Sequence, residues 1–282
     1  MENPDQLSAA IRKVQAIRIS TVDLAAAPVA EKVDVALEVP LVVDVEGIER
    51  YTLMCTPIDR RALALGFLFS EGVIDSMADV ALIEVCPTDP NVVRVELADG
   101  LQRIGDPGRN LVIVSSCGAC GTEEFSEKLD SLPEVGDTLR INSGVLQSAG
   151  NDAFECQSLF NACGGTHAAM LIDSAGRIIA FAEDGGRHHA LDKVIGKCLM
   201  EGLSSAGCGV VLSGRVSLEI VGKCARAGIE LISAISAPTS LAVDVAGHCN
   251  ITLCAFVREN RATVFTHPIR IKEIQKQKDN SL

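Results

Sequence analysis

The chain has 282 residues, a formal net charge of −12 and 11 cysteines. Hydrophobic residues make up 48% of the sequence and aromatic residues only 3%, with one Tyr and no Trp. A chain this rich in apolar residues can bury a hydrophobic core, which excludes a disordered protein. Its length fits one large domain or two domains of ordinary size. Nucleic acid is disfavoured as a partner, because there is no basic stripe for phosphates and few aromatic rings for bases.

The cysteines lie scattered through apolar segments, and the opening residues MENPDQLSAAIRK lack the apolar stretch of a signal peptide. No apolar run in the sequence is long enough to span a bilayer, so we expect no membrane partner. We therefore expect a cytoplasmic protein with reduced thiols, most of them small buried hydrophobic side chains. The locally basic end, residues 271–282, is interpreted as a solvated tail.

The first half of the chain predicts strands and one helix. Residues 1–24 are expected to form a loose leader. Apolar and charged residues then alternate through residues 33–47, and residues 47–57 continue this as a hairpin of half-buried antiparallel strands. The apolar period changes to that of a helix over residues 57–72, and residues 91–100 predict a further strand.

Two cysteines, Cys117 and Cys120, stand in the glycine-rich stretch LVIVSSCGACG. The glycines predict a mobile loop near residues 103–122 and disfavour the helix that directly follows such a pair in dithiol oxidoreductases. A structural zinc needs four ligands, and the sequence offers no second C-x-x-C or suitably spaced histidines, so we expect no metal. The pair can still cycle as a disulfide or carry a sulfur atom.

The second half of the chain alternates helices and strands, with a hairpin around residues 174–176. This order predicts a parallel sheet with helices packed against it. We place a domain boundary near residue 145, between a strand-rich N-terminal domain over residues 25–145 and an α/β domain over residues 146–270. The predicted fold class is thus α/β (α+β), with the smaller domain first.

Three segments of the second half combine glycines with polar residues at the ends of predicted strands. In AEDGGRHHALDK, the two glycines let backbone N–H groups approach an anion, and Arg187 can grip a phosphate or carboxylate as a fork. Ser213, Gly214 and Arg215 follow one buried strand, and residues 236–240, with Thr239, follow the next. Parallel strands end at the same edge of a sheet, so these turns predict one anion-binding edge.

Two weaker features stand near these segments. His167 follows two glycines and a hydroxyl, although a lone histidine is more often a satisfied structural residue than a ligand or base. Arg258 and Arg261 flank a predicted hairpin turn. Arginines at a turn tip are usually solvated, and these would bind an anion only if the turn folds over the predicted edge.

Seven motifs follow one another along residues 35–268: ALGFLFSEGVI, SSCGACG, GGTHAAML, EDGGRHHALDKVIG, LSGRVSLEIVGKCARAGI, SAPTSLAV and ATVFTHP. Together they resemble the FdhD/NarQ family of formate dehydrogenase accessory sulfurtransferases. The resemblance implies a C-terminal domain with a cytidine-deaminase-like fold, in which helices flank a mixed sheet. It also implies that the chain pairs as a homodimer.

The family resemblance further implies a function. Its members take sulfur from a cysteine desulfurase as a cysteine persulfide and pass it to molybdenum in the bis(molybdopterin guanine dinucleotide) cofactor destined for formate dehydrogenase. By this resemblance Cys117 carries the persulfide, with Cys120 as its catalytic partner. The resemblance also assigns the guanine dinucleotide to the predicted hairpin turn, beside the predicted anion edge: Phe256, Val257, Arg258, Glu259, Asn260 and Arg261.

The chain departs from the family motifs at three positions beside the predicted site. It has Cys163 where we expect Thr, Gly185 where we expect Val, and His189 where we expect Asn. Two other functions stay open. One is a non-catalytic carrier that escorts the finished cofactor to the formate dehydrogenase apoenzyme, and the other is a redox regulator whose active state is a Cys117–Cys120 disulfide.

Overall fold

The structure is a computed structural model that describes residues 4–98 and 131–279. The predicted loop with Cys117 and Cys120 lies outside the described residues. Within these residues the strands form three sheets, of two, four and six strands. Among the described helices, none combines the length and apolar character needed to cross a membrane.

A short helix and a two-stranded ribbon begin the described chain. Helix α1 (Pro4–Ala9) leads into β1 (Ile11–Arg18), which pairs antiparallel with β2 (Val29–Ala36). The prediction of a loose leader over residues 1–24 is therefore wrong for the residues of α1 and β1. Cross-strand pairs such as Lys13 and Asp34, whose Nζ and Oδ1 atoms lie 2.8 Å apart, help to stabilise the ribbon.

The predicted strand-rich part folds as a four-stranded sheet in the order β4-β3-β6-β5. Its strands are β3 (Val39–Val45), β4 (Glu49–Cys55), β5 (Val80–Val85) and β6 (Val92–Leu97). The predicted hairpin is formed by β3 and β4, and β3 runs parallel to β6. Helix α2 (Arg60–Ser70) covers the sheet, and its apolar residues bury a shared core that includes Leu41, Val43, Leu53, Leu63, Phe67 and Val93.

The second half forms a six-stranded mixed sheet in the order β12-β11-β10-β9-β7-β8. Its strands are β7 (His167–Ile172), β8 (Ile178–Asp184), β9 (Gly209–Leu212), β10 (Leu231–Ala234), β11 (Thr252–Arg258) and β12 (Arg261–Val264). Strands β9, β10 and β11 are parallel, as the alternation predicts. The hairpins β7–β8 and β11–β12 add the antiparallel strands.

The helices of this half are α3 (Ser143–Cys156), α4 (Ser158–Cys163), α5 (Arg187–Glu201), α6 (Leu218–Arg226), α7 (Ser240–His248) and α8 (Lys272–Asp279). Helices α3 and α4 follow each other directly along the chain. The chain breaks at Gln157 because the buried Glu183 carboxylate accepts the N–H groups of Leu159 and Phe160, each at 2.9 Å, and so caps α4.

The C-terminal segment also differs from its prediction as a solvated tail. Ile271 is buried and forms a β-bridge with Ile141, and α8 follows it. The Ser143 N–H donates to the Glu273 carboxylate at 3.0 Å, which ties the first turn of α8 to the start of α3. The described tail residues are therefore packed against the six-stranded sheet domain.

Helices α2 and α5 join the four-stranded sheet to the six-stranded sheet. They cross so closely that a Cβ atom on Gly66 would lie 1.8 Å from the Asp192 carbonyl oxygen. A Cβ atom on Gly196 would lie 1.8 Å from the Ala62 carbonyl oxygen. Both obstacles are backbone atoms, so the two helices can approach this closely only because each has a glycine at the crossing.

Gly66→Ala is expected to lower the free energy of unfolding by about 1–3 kcal/mol, the usual range for overpacking. Alanine in a helix normally gains up to about 1 kcal/mol over glycine. Gly150→Ala is the matched control, because nothing lies within 4 Å of a Cβ atom placed on this glycine of α3. Urea unfolding of both variants checks the crossing, and a Gly66→Ala variant as stable as Gly150→Ala would contradict it.

Candidate functional site

Three loops meet at the edge where the parallel strands end. The Val216 N–H donates to the Ala237 carbonyl at 3.1 Å, and the Thr239 N–H donates to the Val216 carbonyl at 2.9 Å. The Phe256 N–H donates to the Ser236 carbonyl at 3.2 Å. The structure thus brings together the turns after β9 and β10 and the start of the β11–β12 hairpin turn, in the arrangement that the strand order predicts.

Ser213, at the end of β9, connects that strand to β7. Its hydroxyl oxygen accepts the Ala168 N–H at 2.8 Å and lies 3.4 Å from the His167 Nδ1 atom. Ser213 therefore holds His167 beside the end of β9. Gly214 is buried next to it, and Arg215 is exposed at the same turn.

Thr239 and Ser217 follow β10 and β9 at the starts of α7 and α6. The Thr239 hydroxyl accepts the Ala242 N–H at 3.2 Å and caps α7. Ser217 makes no capping hydrogen bond, and its hydroxyl lies 3.1 Å from the His188 Nε2 atom. Thr239 thus has a capping role at the site edge, whereas Ser217 contacts a histidine of α5.

The β11–β12 hairpin presents most of its predicted cofactor contacts to solvent. Arg258, Glu259, Asn260 and Arg261 are exposed, and Glu259 and Asn260 have left-handed backbones with φ of 53° and 59°. An exposed ion pair of 3.0 Å joins Arg261 to Glu259. Because exposed ion pairs contribute little stability, a ligand anion can replace Glu259 beside Arg261 with little loss of free energy. Val257 differs from the others because its side chain is buried, so only its backbone faces a ligand.

The acidic residues of the EDGG motif are structural. Asp184 is fully buried, with its Oδ2 atom 2.7 Å from the Lys193 ammonium and its Oδ1 atom accepting the Gly186 N–H at 2.8 Å. The Thr56 N–H also donates to Asp184, at 3.1 Å. Thr56 belongs to the four-stranded sheet domain, so sequence reasoning about the motif alone gave no signal of this partner.

Two basic residues of α5 and α6 complete this buried network. The Lys223 ammonium lies 2.8 Å from an Asp192 carboxylate oxygen, and the Ser70 hydroxyl donates to the same carboxylate at 2.8 Å. Asp192 and Lys193 lie in the AEDGGRHHALDK segment, in which the sequence predicts an anion site. Both are fully buried ion-pair members, so neither side chain is exposed to a ligand.

His188 is buried and neutral. Burial, together with the charges of Arg187 and Lys223, lowers the pKa of His188 from 6.5 to about 3. Its Nε2 atom lies 3.1 Å from the Ser217 hydroxyl and 3.4 Å from a Glu219 carboxylate oxygen. A ring held uncharged in this way can exchange hydrogen bonds but cannot serve as a cation at neutral pH.

The lowered pKa of His188 predicts a pH-dependent stability. The unfolded chain binds a proton at this residue below about pH 6.5, whereas the folded chain does not until about pH 3, so stability falls as the pH falls between these values. The slope is at most about 1.4 kcal/mol per pH unit. When the free energy of unfolding in urea is measured at several pH values, it should change less steeply with pH for His188→Gln than for the natural chain. Equal slopes would contradict the neutral state.

The described cysteines are mostly buried. Burial raises the pKa of Cys198 to about 11 and those of Cys55 and Cys254 to about 12. Seven of the nine described cysteines are buried, and all nine are free thiols, which confirms their prediction as small buried hydrophobic residues. Because the thiolate is the reactive form, the buried thiols with a raised pKa are poor sulfur acceptors.

The three departures from the family motifs occupy different environments. Cys163 ends α4 and donates to the Leu159 carbonyl at 3.0 Å. Gly185 is exposed, and its N–H donates to the Thr56 hydroxyl at 2.9 Å. His189 is buried with its Nδ1 atom 3.6 Å from Asp184. Cys163 and Gly185 can change without disturbing a buried charge, whereas His189 contacts the Asp184 carboxylate.

Metal ligands do not cluster in the described part of the chain. No group of three or more His, Cys, Asp or Glu residues within it could hold a metal ion. Cys117 and Cys120 lie outside that part, so the absence of zinc there stays a prediction. The same holds for their catalytic roles and for cofactor binding by the hairpin.

Comparison with known proteins matches the chain to a family. The family model described as FdhD/NarQ matches residues 36–272. The chain is 37% identical over 246 residues to "Sulfur carrier protein FdhD" of Thermoplasma acidophilum, covering 84% of this chain and 86% of that one. It is 40% identical over 220 residues to the protein of the same name from Saccharolobus solfataricus, covering 78% and 82% of the two chains.

A solved structure agrees with the sequence matches. The crystal structure of a chain described as a formate dehydrogenase accessory protein from Desulfotalea psychrophila superposes with a TM-score of 0.73 at 26% identity. The match covers 93% of this chain and 99% of that one, and so includes both the four-stranded and the six-stranded sheets. With the family model spanning most of the chain and relatives above 30% identity, this chain belongs to the FdhD/NarQ family.

Proposed function

We propose that the chain is a sulfurtransferase that carries sulfur on Cys117 and delivers it during formate dehydrogenase maturation. The observation that carries this proposal is the C-x-x-C pair, which lies inside the family-matched residues of a chain similar to proteins named sulfur carriers. The buried thiols support it indirectly. A persulfide carrier needs an accessible thiolate, and burial raises the pKa of most other cysteines away from that state.

The loading step transfers one sulfur atom between thiols. The Cys117 thiolate attacks the outer sulfur of the persulfide on a cysteine desulfurase, and a new S–S bond forms on Cys117. The donor S–S bond breaks, and the desulfurase cysteine leaves as a thiolate. Cys117 then carries the outer sulfur as a persulfide, with no net oxidation or reduction.

The delivery step uses the second cysteine. The Cys120 thiolate attacks the inner sulfur of the Cys117 persulfide, which releases sulfide and leaves a Cys117–Cys120 disulfide. The substrate that receives the sulfide is molybdenum bis(molybdopterin guanine dinucleotide), bound for the formate dehydrogenase apoenzyme. Cellular thiols then reduce the disulfide and return the pair to its starting state.

The cofactor is proposed to bind along the edge where the parallel strands end. Arg258 and Arg261 of the hairpin are exposed cations, and the Phe256 N–H at the start of this hairpin donates to Ser236 in the turn after β10. Guanidinium forks and backbone N–H groups suit phosphates, and such local contacts operate despite the net charge of −12. We further propose that the chain works in the cytoplasm and as a homodimer.

Intact-mass measurement separates this proposal from its two alternatives. After incubation with a cysteine desulfurase and cysteine, a sulfurtransferase gains one sulfur atom, about 32 Da, per chain. A non-catalytic cofactor carrier would gain no sulfur. A redox regulator would also gain no sulfur in this incubation, and only an added thiol oxidant would remove two hydrogens, about 2 Da, by forming the Cys117–Cys120 disulfide. An unchanged mass, with the desulfurase shown to be active, would contradict the proposed function.

A further inference from the structure

The far end of the β1–β2 ribbon exposes a group of large apolar side chains. Val22 is 93% exposed and Leu24 is 89% exposed. Ile17, Ile19 and Val29 lie beside them and are exposed as well. We call these five residues the ribbon tip. Single exposed apolar residues are normal in a folded chain, whereas five at the end of one hairpin indicate an interaction surface.

Polar residues hold the ribbon tip in an ordered turn. The Ser20 hydroxyl accepts the Asp23 N–H at 2.8 Å, and the Asp23 carboxylate accepts the Ala25 N–H at 3.1 Å. Two hydrogen bonds of 2.9 Å and 2.6 Å join Arg18 to Glu31 across the strands. Because these polar groups bind within the ribbon, the apolar side chains of the tip are presented to a partner at little further cost in ordering.

The base of the ribbon is anchored to the rest of the chain. The Leu37 N–H donates to the Ala10 carbonyl at 2.8 Å, and Ala10 is buried in a cluster with Ile58 and Leu159. Beyond this base the two strands pair over eight residues, which places the tip about 20 Å away. Residues 21–30 are all exposed, so this end of the ribbon projects from the fold.

A second apolar surface lies near the base of the ribbon. Phe154 of α3 is exposed and Phe160 of α4 is half-buried, and their rings meet edge to face with centroids 6.4 Å apart. We call these two residues the aromatic pair. Helix α4 packs against β2, so the aromatic pair and the tip stand at opposite ends of the ribbon. Two copies with their ribbons side by side in opposite directions would therefore place each tip on the other copy's aromatic pair.

The charges also fit a second copy of this chain. Residues 10–36 contain four basic and three acidic residues, a net charge of +1, and so the rest of the chain carries −13. Asp152 and Glu155 stand on either side of Phe154 in the sequence and give the receiving surface a negative charge. A slightly basic ribbon is attracted to such a surface, whereas other faces of two acidic chains repel each other.

We propose that the ribbon tip docks on the aromatic pair of a second copy of this chain. A large apolar side chain offers on the order of 100 Å² of apolar surface, so the five residues of the tip offer about 500 Å². The contact forms twice in a two-fold pair and covers both surfaces each time, so the pair buries up to about 2,000 Å², as stable interfaces do. The inference rests on the proposed homodimer and assigns its contact surface.

Sedimentation over a range of protein concentrations measures the dissociation constant of the dimer and tests this surface. Leu24→Glu should raise that constant about a hundred-fold, because it buries a charge in both apolar contacts. Phe154→Glu should raise it to a similar extent. Leu203→Glu is the matched control. It adds the same charge at another exposed leucine, just beyond the end of α5, and dimerisation should not change.

A lysine variant tests the charge of the receiving surface. Leu24→Lys should weaken the dimer less than Leu24→Glu, because Asp152 and Glu155 attract the ammonium and repel the carboxylate. Leu24 is almost fully exposed, so both variants should fold, and thermal melting checks this.

The outcomes separate this surface from the proposed function. The proposal is overturned if the natural chain stays monomeric or if Leu24→Glu dimerises as tightly as the natural chain. An unchanged dimer of Phe154→Glu would show that the aromatic pair is not the receiving surface. Intact-mass measurement tests sulfur loading separately, and Leu24→Glu should gain sulfur as the natural chain does. If the natural chain gains none, the proposed sulfurtransferase fails while the sedimentation result still decides the surface.

Discussion

Cys117→Ala is expected to gain no sulfur from a cysteine desulfurase, while the natural chain gains one sulfur atom, about 32 Da. The expected effect is complete because the persulfide is proposed to form on this thiol. Burial raises the pKa of Cys198 to about 11 and that of Cys254 to about 12, so their thiolates are scarce at neutral pH.

Two further variants sharpen the test of Cys117. Cys163→Ala is the matched control, since Cys163 is a half-buried cysteine that donates to the Leu159 carbonyl, and its loss should leave loading unchanged. Cys120→Ala should load sulfur normally but release sulfide slowly, because the attack on the inner sulfur is lost. A sulfur adduct of normal yield on Cys117→Ala would overturn the assignment.

Lys193→Met is expected to lower the free energy of unfolding by about 3–5 kcal/mol, as when one partner of a buried ion pair is removed. Lys193 and Asp184 are both fully buried, and the ammonium also donates to the Glu183 carbonyl at 3.0 Å and the Thr56 carbonyl at 3.2 Å. The variant would leave the Asp184 charge in the interior without its counterion. The loss should weaken the junction between the two larger sheets, since Thr56 belongs to the four-stranded sheet domain.

Lys197→Met is the matched control for this prediction. Lys197 lies one turn further along α5 and pairs with Asp59 at 2.7 Å, but both side chains are partly exposed, so we expect a loss of about 1 kcal/mol or less. Urea unfolding of both variants at neutral pH measures the difference. A Lys193→Met variant no less stable than Lys197→Met would show that the buried pair contributes little.

The ion pair between Asp184 and Lys193 also makes the free energy of unfolding depend on pH. Burial alone would raise the pKa of Asp184, but the Lys193 ammonium and His189 hold it below its usual value. Its contribution to stability is therefore present above about pH 4 and is lost as the pH falls through the folded-state pKa. In Lys193→Met this acid-sensitive contribution should be smaller.

Local patterns predicted most of the sheets and the edge of the site. The hairpin β3–β4, helix α2 and the alternation through β9, β10 and β11 follow from apolar periodicity. The contact between the turn after β9, at Val216, and the turn after β10, at Thr239, follows from the rule that parallel strands end at one edge. These features depend on neighbours that are close in sequence or on general topology.

Long-range contacts account for what the sequence did not reveal. The break between α3 and α4 depends on Glu183, whose carboxylate reaches Leu159 from a strand 24 positions along the chain. The burial of Asp184 depends on Thr56, 128 positions away. No periodicity in either segment reports such partners. They turn an apparent cluster of site residues into structural ion pairs.

Peptide mapping of the loaded natural chain tests the central claim most directly. After incubation with a desulfurase and alkylation of free thiols, trypsin cleaves at Arg109 and Lys128 to release residues 110–128, which hold both Cys117 and Cys120. Residues 141–177 form a separate peptide with Cys156 and Cys163. We predict that the added sulfur is found on Cys117 of the first peptide. Sulfur found instead on the second peptide, or on none, would contradict the account.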